Sequence, residues 1–189
     1  MTSKRSLVQG IVYGAGAGVI ASIAMLIYAM LAAWNKGTGF FTPLYHIASL
    51  WSSQDAMMTS MKGAMAGSDF HFVFGTAVLG VLIHIVTGAG YGALFGLVVS
   101  RFDLKVGILS VVGLVYGAIV FLVSAYIGLP VAAAVFNSGD QITHMAKMAG
   151  WGTFFVEHLV YGLVLGLLVA AARHRTRVTV GQSVASHVG

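Results

Sequence analysis

Four long apolar runs, separated by short polar ones, set the pattern of this chain. They extend from about Gly10 to Trp34, Phe70 to Ser100, Val106 to Phe136 and Trp151 to Ala172. Each is long enough to cross a hydrocarbon core of about 30 Å, which takes about 20 helical residues. Lipid offers backbone N–H and C=O groups no partner, so a spanning apolar run must satisfy them internally, as a helix. The pattern predicts an all-α bundle of four transmembrane helices forming one domain over residues 1–175. Lys4 and Arg5 ahead of the first run imitate the start of a signal peptide. The run exceeds the ~7–15 apolar residues of such a peptide, so a retained helix is expected.

The connections carry their own signals. The turn Ser100–Lys105 is short, which predicts that spans two and three are antiparallel neighbours. Thr42-Pro43 predicts a helix start, with a capping hydroxyl ahead of a proline at the first position. From there Leu44, Ile47, Leu50 and Trp51 form the apolar stripe of a short amphipathic helix expected at the outer membrane surface. Residues 176–189 read as a polar, disordered cytoplasmic tail.

Composition sharpens this picture. Hydrophobic residues make up 58% of the chain and charged residues 8%, against roughly half and a quarter in soluble proteins. A soluble fold of this size could not bury so much apolar surface. A net charge of +5 would suggest nucleic acid in a soluble chain. Here Lys4, Arg5, Arg101, Lys105, Arg173, Arg175 and Arg177 gather on one side, against Lys36, Lys62 and Lys147 on the other. That bias predicts both termini in the cytoplasm, with the bilayer and not nucleic acid as the partner. With no cysteine, disulfides and thiolate metal ligands are excluded.

A weak repeat runs through the spans. Tyr91-Gly92 with Gly96 resembles Tyr161-Gly162 with Gly166, and Tyr13-Gly14 with Gly18 and Gly113 with Tyr116-Gly117 echo it. Counted from the basic flanks, all four Tyr-Gly pairs fall in one layer near the midplane. Glycines four apart let helix backbones approach closely, so packing is the expected role. Tyrosine hydroxyls lining an inner path are the functional alternative.

Ionisable side chains inside a membrane are costly and mark candidate sites. His84 in span two, with Glu157 and His158 in span four, are such residues. Both histidines lie roughly 22–26 Å from the basic side, so they can share a site. The plainer reading makes them interhelical glue. Outside the spans, Met57, Met58, Met61 and Met65 crowd ahead of span two, followed by His71. Met57, Met61 and Met65 recur at helical spacing. His144, Met145 and Met148 precede span four. Thioether and imidazole suit Cu(I), while a flexible apolar face is the plainer reading. The His71/His84 and His144/His158 spacings resemble the paired haem ligands of cytochrome b bundles. His71 and His144 fall about 20 Å beyond the other two, outside the hydrocarbon, so at most one haem b fits. No acyl-transfer triad or phosphate-cradling loop is present.

The stretch His84-Ile-Val with Tyr91, the turn Arg101-Phe-Asp-Leu-Lys105, and Glu157-His158-Leu-Val-Tyr-Gly resemble the YagU-like family of small bacterial inner-membrane proteins. The resemblance covers roughly residues 80–175. It implies a multi-pass protein of the bacterial inner membrane, a four-span bundle, shared positions for His84 and His158, and a link to acid tolerance. Four functions compete: an accessory subunit of a larger complex or homo-oligomer, an outward-facing copper site, a b-haem protein, and a small proton-responsive transporter.

The cysteine-free chain makes the expected topology simple to test. A Ser186→Cys variant should react with a membrane-impermeant maleimide only after permeabilisation, and Ser53→Cys in intact cells. The opposite pattern would reverse the orientation.

Overall fold

The computed structural model describes backbone residues 2–188, and the side chains of residues 7–105 and 107–173. The tail expected over 176–189 lies outside the described side chains. Every regular element among the described residues is helical. Helix α1 (Thr2–Asn35) forms the first span and α4 (Phe74–Val99) the second. The third runs through α5 (Val106–Val123), a π-helical turn (Ser124–Gly128) and α6 (Leu129–Phe136), and α9 (Trp151–Val188) supplies the fourth. Their apolar segments, Leu7–Asn35, Phe74–Val99, Gly107–Phe136 and Trp151–Arg173, have mean hydropathies of 1.8 to 2.5. Those lengths and hydropathies make this a multi-pass membrane protein.

The packing order departs from the order along the chain. Helix α1 lies against α4, α5 lies against α9, and α1 against α9 joins the two pairs. Spans two and three, expected to be neighbours, meet through side chains such as Phe95 and Tyr116 and without the close backbone contact of the other pairs. The glycines explain why. A Cβ on Gly14 would strike the carbonyl of Gly92, and one on Gly92 would strike the carbonyl of Gly14. Gly10 against Gly96 and Gly18 against Gly88 extend this ladder along the α1–α4 pair. In the second pair, Gly113 and Gly162 meet reciprocally, with Gly117 against the His158 carbonyl. Without a hydrophobic effect between helices in lipid, such close contact is the main attraction available. It binds α4 to α1 and α5 to α9, and the turn merely follows.

The tyrosines divide their work. Tyr161 donates to the Gly88 carbonyl at 2.6 Å and Tyr116 to the Tyr91 carbonyl at 2.7 Å. Both cross from the second pair to α4. The packing expected of the Tyr-Gly layer is present, and two of its tyrosines also line an inner space (below).

Short elements cap the end opposite the 100–105 turn: α2 (Thr42–Ala48), α3 (Asp55–Met65), α7 (Asp140–Thr143) and α8 (Met145–Ala149). Helix α2 starts where Thr42-Pro43 predicts, with the proline in its first turn. The Thr42 hydroxyl does not cap it; it donates to the Thr38 carbonyl and pairs with Ser60. Helix α2 packs onto α4, its Leu44 backbone filling the place a side chain at Gly80 would take. Tyr45 is fully buried there. Its hydroxyl donates to the His71 carbonyl and accepts from the Val73 N–H, both at 2.8 Å. That clamp holds the chain extended at Val73, so span two begins at Phe74 and not at Phe70. In span three the π-turn comes just before Pro130, which has no N–H to continue the helical ladder.

Glycines at the ladder should be intolerant of any side chain. Gly92→Ala and Gly162→Ala should each destabilise the protein by about 1–3 kcal/mol or more. Gly16→Ala and Gly90→Ala, which face open space, should be neutral or slightly stabilising. Thermal unfolding in detergent micelles reads the difference directly.

Candidate ligand-binding cavity

Because the two helix pairs meet along α1 and α9 and separate between α4 and span three, they enclose a space. A cavity of about 310 Å³ runs from mid-bundle to the capped end. Its floor is Gly88, Tyr91 and Tyr161, where the two tyrosine bonds cross the bundle. Ser22, Met25, Leu26 and Ala29 of α1 form the back wall. Val120, Ser124 and Leu129 come from span three, and Phe154, Glu157 and His158 from α9. The roof is His46 and Ile47 with Met57, Met61, Met145 and Met148.

The glycine ladders fix the two intramembrane histidines. His84 stands one turn beyond Gly88 and donates from Nε2 to the Ser22 carbonyl at 3.0 Å. His158, whose own carbonyl packs on Gly117, donates from Nδ1 to the Phe154 carbonyl at 2.7 Å. A carbonyl can only accept, so those ring nitrogens carry the hydrogen. In the neutral rings, His84 Nδ1 and His158 Nε2 keep lone pairs as acceptors. Both rings line the same cavity. Phe154 and Phe121 flank the His158 ring at centroid distances of 4.5 and 5.9 Å.

Glu157 is the least compensated of these groups. It is 6% exposed and lines the cavity. Among the described residues no hydrogen bond or ion pair reaches its carboxyl. Among the described residues, fully enclosed polar side-chain atoms all have partners, so the free carboxyl oxygens face the cavity. Lys36 lines the same cavity. Its ammonium bonds the Ala149 carbonyl and the Thr153 hydroxyl instead, strapping the end of α1 to α8 and α9.

Seven of the ten sequence candidates meet here: His84, Glu157, His158, Met57, Met61, Met145 and Met148. Three do not. Met65 is 76% exposed, at the last residue of α3, one turn beyond Met61. His71 contributes only its carbonyl, to the Tyr45 clamp. His144 is exposed and lies 3.9 Å from Asp140. With His71 and His144 outside the cavity, a pair of haems ligated by all four histidines is not assembled. No three histidine or carboxylate side chains among the described residues stand together as a metal cage.

His46 was not singled out by the sequence, because it lies outside the long apolar runs. It is buried in the roof and donates from Nε2 to the Gln141 carbonyl at 2.7 Å, tying α2 to α7. Its signal was local: a histidine inside the apolar stripe that follows Thr42-Pro43. No protein-family model, curated protein or solved structure matches the chain.

Burial pushes the His46 imidazole below its ordinary value of about 6.5, with the Gln141 carbonyl pulling weakly the other way. The folded cap therefore prefers neutral His46, and the unfolded segment takes up the proton first. This contribution is present above about pH 6.5 and is lost as pH falls below it. Hydrogen-exchange protection factors over residues 42–48 should drop between pH 7.5 and 5, and His46→Gln should flatten that dependence.

Proposed function

We propose that this protein is a membrane-embedded accessory protein that binds a small cationic guest in its capped cavity. The observation that carries the reading is Glu157, a buried carboxyl without a protein partner, facing a space bordered by imidazole lone pairs. A carboxylate so placed in a membrane is costly unless a cation or proton donor meets it. His84 Nδ1 and His158 Nε2 add acceptors, and the Phe154 ring, which lines the cavity beside His158, is a group that attracts an ammonium. The cavity's 310 Å³ compares with roughly 30 Å³ for one water and matches the lower range of small-molecule pockets. An organic ammonium fits it better than a bare ion.

Copper is the second reading, favoured by the convergence of three histidines and the roof methionines on one space. A Cu(I) ion here would need thioethers from Met57, Met61, Met145 or Met148 to complete its ligands. The YagU-like resemblance adds a bacterial inner membrane as the location.

Protein purified in mild detergent should be stabilised saturably by hexylamine, by about 2.7 kcal/mol at a hundredfold excess over Kd. Hexanol and hexanoic acid should do much less, and Glu157→Gln should abolish the effect. Equal stabilisation by hexanol, or an unchanged response in Glu157→Gln, would overturn the reading. One retained Cu(I) per chain, lost in the Met57→Leu/Met61→Leu variant, would establish copper instead.

A further inference from the structure

On the flank between α4 and span three the helix backbones do not pack closely, and exposed Thr87 lines the cavity there. Near the 100–105 turn that flank is shut. There Phe95 packs on Tyr116 at 5.0 Å, and Tyr116 bonds the Tyr91 carbonyl. Toward the cap, α4 lends the cavity Ile83 and Thr87, and span three lends it Ser124, Gly128, Leu129 and Ala132. Thr87 borders the cavity and is exposed, so it stands at the lip. A Cβ on Gly128 would lie 3.7 Å from the Tyr91 hydroxyl and clash with nothing. Ser124 Oγ meets the Tyr91 hydroxyl at 3.5 Å, so the flank stays closed to that level, and beyond it Gly128 brings no side chain of its own.

What lies outside that flank is hydrocarbon. Leu82 and Val86 on α4, and Tyr126, Ile127 and Val131 on span three, are all exposed. Apolar side chains at mid-span depth face lipid. At the capped end the exposed residues that line the cavity are Lys36 and Met148. There the Lys36 ammonium repels an approaching cation.

We propose that the guest enters sideways from the bilayer, between α4 and span three, and is a membrane-soluble amine. Its ammonium group meets Glu157 with the His84 and His158 lone pairs, and its apolar tail lies in the cleft beside Gly128. This rests on the cation-binding reading above and adds the route and the apolar body of the ligand.

The test uses full-length protein in proteoliposomes whose bilayer carries an octadecylamine with a mid-chain diazirine, or the matched carboxylic acid. After illumination, amine adducts should map to residues 83–91 and 120–132 and exceed those of the acid at least tenfold. Gly128→Phe should slow adduct formation at least fivefold, with Thr87→Phe as a second plug should the first fail to fold. Adducts confined to the Lys36–Met148 end, or undiminished in both plugged variants, would overturn sideways entry. Absence of adducts in a protein that still binds hexylamine in micelles would overturn the membrane-soluble class. A protein that binds neither amine removes the cation-binding reading, and this inference with it.

Discussion

Where Gly14 meets Gly92, and Gly113 meets Gly162, no side chain separates the helix backbones. Lipid solvates leucine as well as another leucine does, so apolar side chains alone give helices little reason to associate in a bilayer. Bare backbone contact supplies dispersion that lipid cannot match. Everything else in the bundle follows from where these contacts fall. They draw α4 onto α1 and α5 onto α9, and they leave spans two and three with no comparable contact. The space between the pairs is thus a consequence of the ladders, and the two tyrosine bonds at its floor keep it from collapsing further.

The same ladders place the chemistry. His84 lies one turn beyond Gly88, and the His158 backbone is itself a rung against Gly117. Each imidazole spends one nitrogen on a carbonyl, which fixes the ring and leaves the other nitrogen free. Glu157, next in the chain to His158, shares the burial but has no such partner. A polar group of this kind is destabilising in an empty bundle, which is why it reads as a place for a ligand.

The spans were legible because twenty apolar residues in a row have few other physical meanings. The ladders were legible as glycine spacing, and His84, Glu157 and His158 as polar residues where polarity is costly. Which helix each ladder would grip was not legible, since all four spans carry similar Tyr-Gly pairs and the short turn does not say that spans two and three meet through side chains alone. The roof was harder still. Helix α2 was legible from Thr42-Pro43 and its apolar stripe, but its burial was not, because that depends on Gly80 of a distant helix. The methionine pattern held only in part, because Met57 and Met61 turn inward while Met65, one turn on, reaches the exposed end of α3.

The central claim is that Glu157 holds a cation in a cavity entered from lipid between α4 and span three. Anomalous diffraction from crystals grown with a bromine-terminated alkylamine tests it most directly. The account predicts an ammonium group against the Glu157 carboxyl and a bromine peak in the cleft beside Gly128. Density for the amine at the Lys36 end, or a Glu157 carboxyl bonded by a protein donor with the cleft closed, would contradict it.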